Sequence, residues 1–365
     1  MIETKPEKSG IQGISRLALV FAIGITGALG AEDTASDILG IIRIPCLEGS
    51  DTLVGIPFER YTEAKGSLLT APRIAGNSAT FQAASPDGDF AIFGTENFYL
   101  RWVGESGSAG AWHRILSNAE DSFTIDQNGN DLSSLVAGDP FEIVPYWTLN
   151  TLFDPATQST IHVSAGPLPT SRSTEVLITD LVGEGISLAP DRLFFLTADG
   201  WHEASSGFPA AGDEPIQPGQ VIVIRHPAGT GDTYFVAEQR VLTGAHRQPL
   251  RTSVRGYQDN VISLMRPATV KLSDLDLSDQ IFVDSASTAA NDRVDELLLF
   301  DNASPAFNKA PFKSYFRIGG TWHEDDGASY PVADDDEIPM AAAVVIRKAP
   351  TSDGRTLIWI DSPEY

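Results

Sequence analysis

Two short segments constrain this chain most: VIVIRH at residues 221–226 and AVVIRK at residues 343–348. Both are β-branched runs of strand length that carry an arginine as the next-to-last residue, and both are bounded by turn-forming residues. That is the grammar of strands and tight connections, not of helices. TYFVAEQ (233–239) and TLIWID (356–361) follow them after PAGTGD and APTSDG. These connections are rich in residues that tolerate positive φ and predict hairpins. Helical periodicity is scarce: 272–280 and 130–139 each have room for a turn or two. The expectation is an all-β protein of tandem antiparallel β modules, sandwich- or barrel-like, with few short helices.

The strands recur in a larger pattern. Trp201-His202 and Trp322-His323 each follow a glycine-containing turn, and Arg225 and Arg347 lie 24 and 25 residues beyond the two tryptophans. Upstream, DRLFFL (191–196) is matched to DELLLF (295–300), which places an insertion of 17 residues before Trp322. A looser third copy is read around Trp112-His113, with 137–147 in the position of the arginine strand. SDTLVGIPF (50–58) is similar to QDNVISLMR (258–266), so each unit has a similar lead-in. Self-similarity of this kind marks stacked structural units. The predicted organisation is a signal peptide at 1–30, a divergent N-terminal module at 31–165, a second module at 166–250 and a third at 251–365.

The N-terminus explains the signal-peptide assignment. Lys5, Lys8 and Arg16 precede the apolar run LALVFAIGITGAL, and Ala28 and Gly30 sit where a cleavage before Ala31 requires small residues. Thirteen apolar residues are short for a membrane span, so no transmembrane segment is expected after cleavage. Export to the periplasm, the extracellular space or the cell surface follows. Cys46 is the single cysteine and allows no intramolecular disulfide; it reads as a small buried hydrophobe. With 49 acidic against 25 basic residues, the net charge of -24 repels phosphate backbones, so no nucleic-acid partner is expected.

Chemistry is sparse. Nucleophile elbows, P-loops, dinucleotide fingerprints and zinc-ligand pairs are missing from the sequence, so no catalytic residue is assigned. The candidate ligand-binding residues are Trp112, Trp201, Trp322, His202 and His323, because exposed tryptophan faces stack on sugar rings. Set against this, a tryptophan beneath a hairpin fills a core and turns the next residue outward. No cofactor is expected. Weak calcium binding by Asp325, Asp326, Asp334, Asp335 and Asp336 is the alternative to plain solvated turns. Arg225 and Arg347 are read as repeated structural cations, paired with a carboxylate such as Asp191 or Asp295.

The export signal, the SDTLVGIPF segment and the G-W-H…V-I-R units together resemble an uncharacterised paralogous family of secreted proteins found in Verrucomicrobia. The resemblance implies export and carries no catalytic residue across. The reading from the residues is an exported β-repeat protein with a structural, adhesive or surface-associated role, self-associating or meeting an extracellular glycan. A carbohydrate-binding protein is the first alternative and a polysaccharide-active hydrolase the second.

Overall fold

Alternation along the two arginine strands sets the architecture. In the computed structural model, which describes residues 37–84, 89–104, 107–179 and 181–363, Ile222 and Ile224 of Val221–His226 are buried in one core. Val344 and Ile346 of Ala343–Lys348 are buried in another. The residues between them, Val223 and Arg225 or Val345 and Arg347, face the opposite side, as the two-residue period of a strand requires. Each strand belongs to a five-stranded sheet, and the two sheets have the same strand order. The first runs Gly200–Glu203, Pro190–Thr197, Glu175–Thr179, Val221–His226, Ser50–Gly55. The second runs Thr321–Glu324, Lys313–Ile318, Glu296–Leu299, Ala343–Lys348, Gln258–Ser263. Every strand pairing among the described residues is antiparallel, and the fold is all-β.

An antiparallel ribbon covers the apolar face of each sheet, three-stranded over the first and two-stranded over the second. Leu39–Cys46 pairs with Thr233–Val241 over the first, and His246–Arg251 pairs with Thr356–Asp361 over the second. Ile42, Cys46, Phe235 and Ala237 thus join Val54, Val176, Phe194 and Trp201 in one core, and Leu250 and Trp359 join Leu297, Tyr315 and Trp322 in the other. The connections at 227–232 and 349–355 are therefore not the hairpins expected from sequence. Each carries the chain from one layer to the other, because a sheet buries its apolar face only if a second layer covers it.

Residues 64–145 form a six-stranded barrel: Ala64–Leu68, Pro140–Pro145, Phe98–Trp102, Trp112–Ala119, Ser122–Asp126 and Ser78–Ala84, closed where Leu68 faces Ala83. Its interior is aromatic, with Phe81, Phe90, Trp102, Phe123 and Phe141 in mutual contact. The barrel is inserted between the lead strand Ser50–Gly55 and the rest of the first sheet. A buried ion network on its outer wall ties it down: Arg101 bonds Glu59 and Glu142 (2.7 Å), and Arg240 lies 3.1 Å from Glu59.

Three expectations change here. The sheets cross the predicted boundary near residue 165, since Ser50–Gly55 pairs with Val221–His226 along its whole length. Trp112 lies on a barrel strand, so its surroundings are not a third copy of the five-stranded sheet. Only the local hairpin is matched: Arg101 faces Trp112 as Arg317 faces Trp322. Finally, 191–196 corresponds to Lys313–Ile318, not to 295–300. Trp201 lies 26 residues after Glu175 and Trp322 lies 26 residues after Glu296, so no insertion separates the units. Of the helical turns, 272–280 contains a 3-10 turn at Leu272–Asp274, and the one α-helix among the described residues is Leu149–Leu152, capped by Thr148.

Candidate functional site

The Trp-His hairpins build a repeated internal clasp. Trp201 and Trp322 are buried, 2% and 3% exposed. Trp201 donates its indole N–H to the Phe153 carbonyl (3.3 Å), and Trp322 packs on Phe282 with centroids 4.8 Å apart. Strand alternation turns the histidines to the other face, where His202 stacks on Phe195 and His323 on Phe316 (interplanar angles 24° and 22°). Each imidazole donates from Nδ1 to a carbonyl in the following loop, Phe208 (3.0 Å) or Tyr330 (2.9 Å). Both loop residues adopt positive φ, 49° and 47°, a conformation uncommon for side-chain-bearing residues. Arg172 lies over Phe195 and Arg293 over Phe316. The histidines thus fasten the loop over the edge strand.

The acidic loop is equally committed. Asp325 pairs with Arg293 (3.3 Å), Asp335 with Lys271 (2.7 Å) and Asp336 with Lys313 (2.7 Å). Asp334 accepts the Trp322 amide N–H (2.8 Å). Asp326 accepts the Ser329 hydroxyl and the amides of Ala328, Ser329 and Tyr330, which holds it well below the usual carboxylate range. Five carboxylates therefore serve five different local partners. Among the described residues, no group of three or more His, Cys, Asp or Glu side chains is arranged to hold a metal ion. The Lys313–Glu324–Asp336 cluster has a counterpart in Arg192–Glu203–Glu214.

The arginine partners differ from those expected. Arg225 forks onto Asp51 and Arg347 onto Asp259, both on the lead strands. Asp191 is exposed, whereas Asp295 is buried and paired with Lys348. These pairs flank a slot of about 550 Å³ between the outer faces of the two sheets. Equivalent residues line its two sides: Leu53 and Val261, Leu177 and Leu298, Val223 and Val345, with loops 187–190 and 308–311 at the rim. The halves bond reciprocally across it. Gly55 donates to Ala341 and Ser263 to Gly219 (both 2.9 Å), while Asn308 donates to Asp51 and Ser187 to Asp259 (both 2.7 Å). Reciprocity of this form is the mark of a two-fold relation.

Trp322 borders an open pocket of about 550 Å³ with Arg317 and Asp334. Trp112, 5% exposed, lines a polar pocket of about 340 Å³ together with Asp126, Asn128, Gln217, Gln248 and Arg251. Its indole N–H has no hydrogen-bond partner, nor has the Asn128 side-chain nitrogen. Sequence reasoning missed this pocket because its lining comes from eight separated stretches of chain. The remaining chemistry-bearing groups are built into the framework. All six histidines are hydrogen-bonded through at least one ring nitrogen: His113 to Asp126 through Nδ1, its Nε2 being buried without a partner, His162 to Gly231, His226 to Thr174 and Thr233, His246 to Gln248, and the two of the clasps. Burial pushes the Cys46 thiol up, which disfavours the thiolate. No helix among the described residues is long and apolar enough to cross a membrane, and residues 1–30 lie outside the described residues. Comparison of the chain with family models, with curated proteins and with solved structures gives no match.

Proposed function

We propose that this chain is an exported β-repeat protein with a structural or adhesive role at or beyond the cell surface. The observation that carries this reading is the reciprocal joining of two sheets of identical strand order. The Trp-His hairpins, the arginines and most of the acidic loop serve that framework. Export rests on the basic, apolar and small-residue succession of residues 1–30, and the resemblance to a secreted family points the same way. The acidic surface, at a net charge of -24, favours solubility outside the cell and disfavours association with anionic polymers.

The test has two arms. Expression of the full chain in a bacterial host, with fractionation and N-terminal sequencing, is expected to give a product beginning at Ala31 outside the inner membrane. A full-length product retained in the cytoplasm would overturn export. Cells carrying the protein are expected to aggregate or to adhere to surfaces more than cells lacking it. Equal behaviour of the two, together with turnover of a polysaccharide or ester by the purified protein, would replace the reading with an enzymatic one.

A further inference from the structure

We infer that the polar pocket beneath Trp112 binds a neutral saccharide. This goes beyond the structural or adhesive role, which stands or falls without it. The pocket lies where the barrel meets the two sheets. Trp112, Asp126 and Asn128 come from the barrel, Gln217 from the first sheet's turn, and Gln248 and Arg251 from the ribbon of the second half. At about 340 Å³ it falls at the lower end of the range of small-ligand sites, roughly 300–1,000 Å³.

Its polar groups identify the ligand class. The Trp112 Nε1 and Asn128 Nδ2 hydrogens are buried donors without an acceptor. Buried donors in this state are rare in folded proteins and mark places where a ligand or water completes the site. The Asp126 carboxylate, which accepts the Asn128 backbone N–H (3.0 Å) and lies 3.7 Å from the exposed Arg114, is an acceptor with lone pairs to spare. A ligand that satisfies both must offer acceptors and donors side by side, as vicinal hydroxyls do. Carboxamides such as Gln217 and Gln248 match hydroxyls in the same two-way manner. Pro249 and Ile262 supply apolar surface for the C–H face of a ring. An anionic ligand is disfavoured by Asp126 and by the acidity of the whole chain. Access is provided at the rim by exposed Asn77 and Val182.

Trp112 is held for this task from behind. Its ring meets Tyr99 edge-on at 6.2 Å, in a small cluster with Val144 and Tyr146 on the outer barrel wall. That packing fixes the indole independently of any ligand.

The experiment titrates the full chain with glucose, galactose, mannose, xylose, N-acetylglucosamine and their β-linked disaccharides, read by calorimetry and by tryptophan fluorescence. Saturable binding of at least one sugar is expected. Trp112→Phe, which keeps the ring and removes the donor, and Asp126→Asn are each expected to weaken binding at least tenfold. Asp191→Ala, on an exposed residue elsewhere, should leave it unchanged. If Trp112→Phe disturbs folding by circular dichroism, Asn128→Ala replaces it with the same expected loss. Failure of every sugar in the panel to bind overturns the proposal, and so does binding indifferent to both Trp112→Phe and Asp126→Asn.

Discussion

Arg225 grips Asp51 with two parallel bonds, Nε to Oδ1 at 2.7 Å and Nη2 to Oδ2 at 2.8 Å, and Asp51 in turn accepts the amide of Asn308 from the opposite half. The second half repeats the arrangement with its roles exchanged: Arg347 grips Asp259, which accepts the amide of Ser187 (2.7 Å). Each carboxylate is 4% exposed, so each is both the neutralising partner of an arginine and the anchor of a loop from the other half. Asn308 and Ser187 both hold positive φ, 48° and 53°, which the anchoring helps maintain.

This crossing predicts a crossed response. Asp51→Ala should raise amide exchange at residues 306–308, and Asp259→Ala at residues 185–187, each in the half that does not carry the substitution. Stability should fall by about 2–3 kcal/mol in either case, the loss expected when a partner of a charged hydrogen-bonded pair is removed. Hydrogen exchange read by mass spectrometry, with urea unfolding at pH 7, measures both. Exchange confined to the substituted strand would contradict the crossed anchoring.

Gly55 is the point of closest approach between the halves. A Cβ there would lie 1.5 Å from Ser263 Oγ, and Ser263 is the equivalent position of the other lead strand. Gly55→Ala should therefore destabilise by about 1–3 kcal/mol through overpacking. Adding Ser263→Gly removes the obstructing hydroxyl and should restore a large part of the loss. Chemical denaturation of the two single variants and the double variant reads this as a strong favourable coupling, and additive effects would count against the contact.

The buried clasps make their own prediction. Trp201→Ala and Trp322→Ala should each cost about 3–5 kcal/mol, as truncation of a core aromatic does. Trp201→Phe should cost less, about 1–2 kcal/mol, since it keeps most of the volume but leaves the Phe153 carbonyl without its indole donor. Thermal melts of the three variants would order them in this way. An exposed platform would show almost no effect on melting.

Much of this framework was legible in the chain, and the limits of that legibility are physical. The β-branched arginine strands were readable because local pattern and strand period agree. Val221–His226 and Thr356–Asp361 fall where the runs predict. Their partners were not readable, because pairing is set by three-dimensional layering and Asp51 precedes Arg225 by 174 residues with a barrel in between. Matching 191–196 to 295–300 failed because both are an acid followed by apolar residues. The constant spacing from Glu175 to Trp201 and from Glu296 to Trp322 was the stronger signal. Two of the three tryptophans flagged in the sequence belong to the fold. The third differs only because the barrel places it against another surface, which no local motif encodes.

Buried histidines make the fold sensitive to acid. Burial lowers His113, His226 and His246 from the usual value to about 4 each. A histidine depressed in the folded state takes its proton in the unfolded chain first. Its contribution is thus complete above the unfolded value near 6.5 and is lost as pH falls toward about 4. Each group can supply up to about 1.4 kcal/mol per pH unit within that window, and the three together up to about 4 kcal/mol per unit. Against a typical stability of about 5–15 kcal/mol, this is enough to unfold the protein between pH 6 and pH 4. Carboxylates held low by partners, Asp336 and Glu142 among them, add to the loss in the same direction at the acidic end. Unfolding free energy measured at half-unit steps from pH 7 to pH 4 should fall steeply below about pH 6.5. His226→Asn, which retains side-chain polarity beside Thr174 and Thr233, should flatten the slope by about 1.4 kcal/mol per unit. A wild-type profile level from pH 7 to pH 5 would mean that these imidazoles are not held neutral by burial.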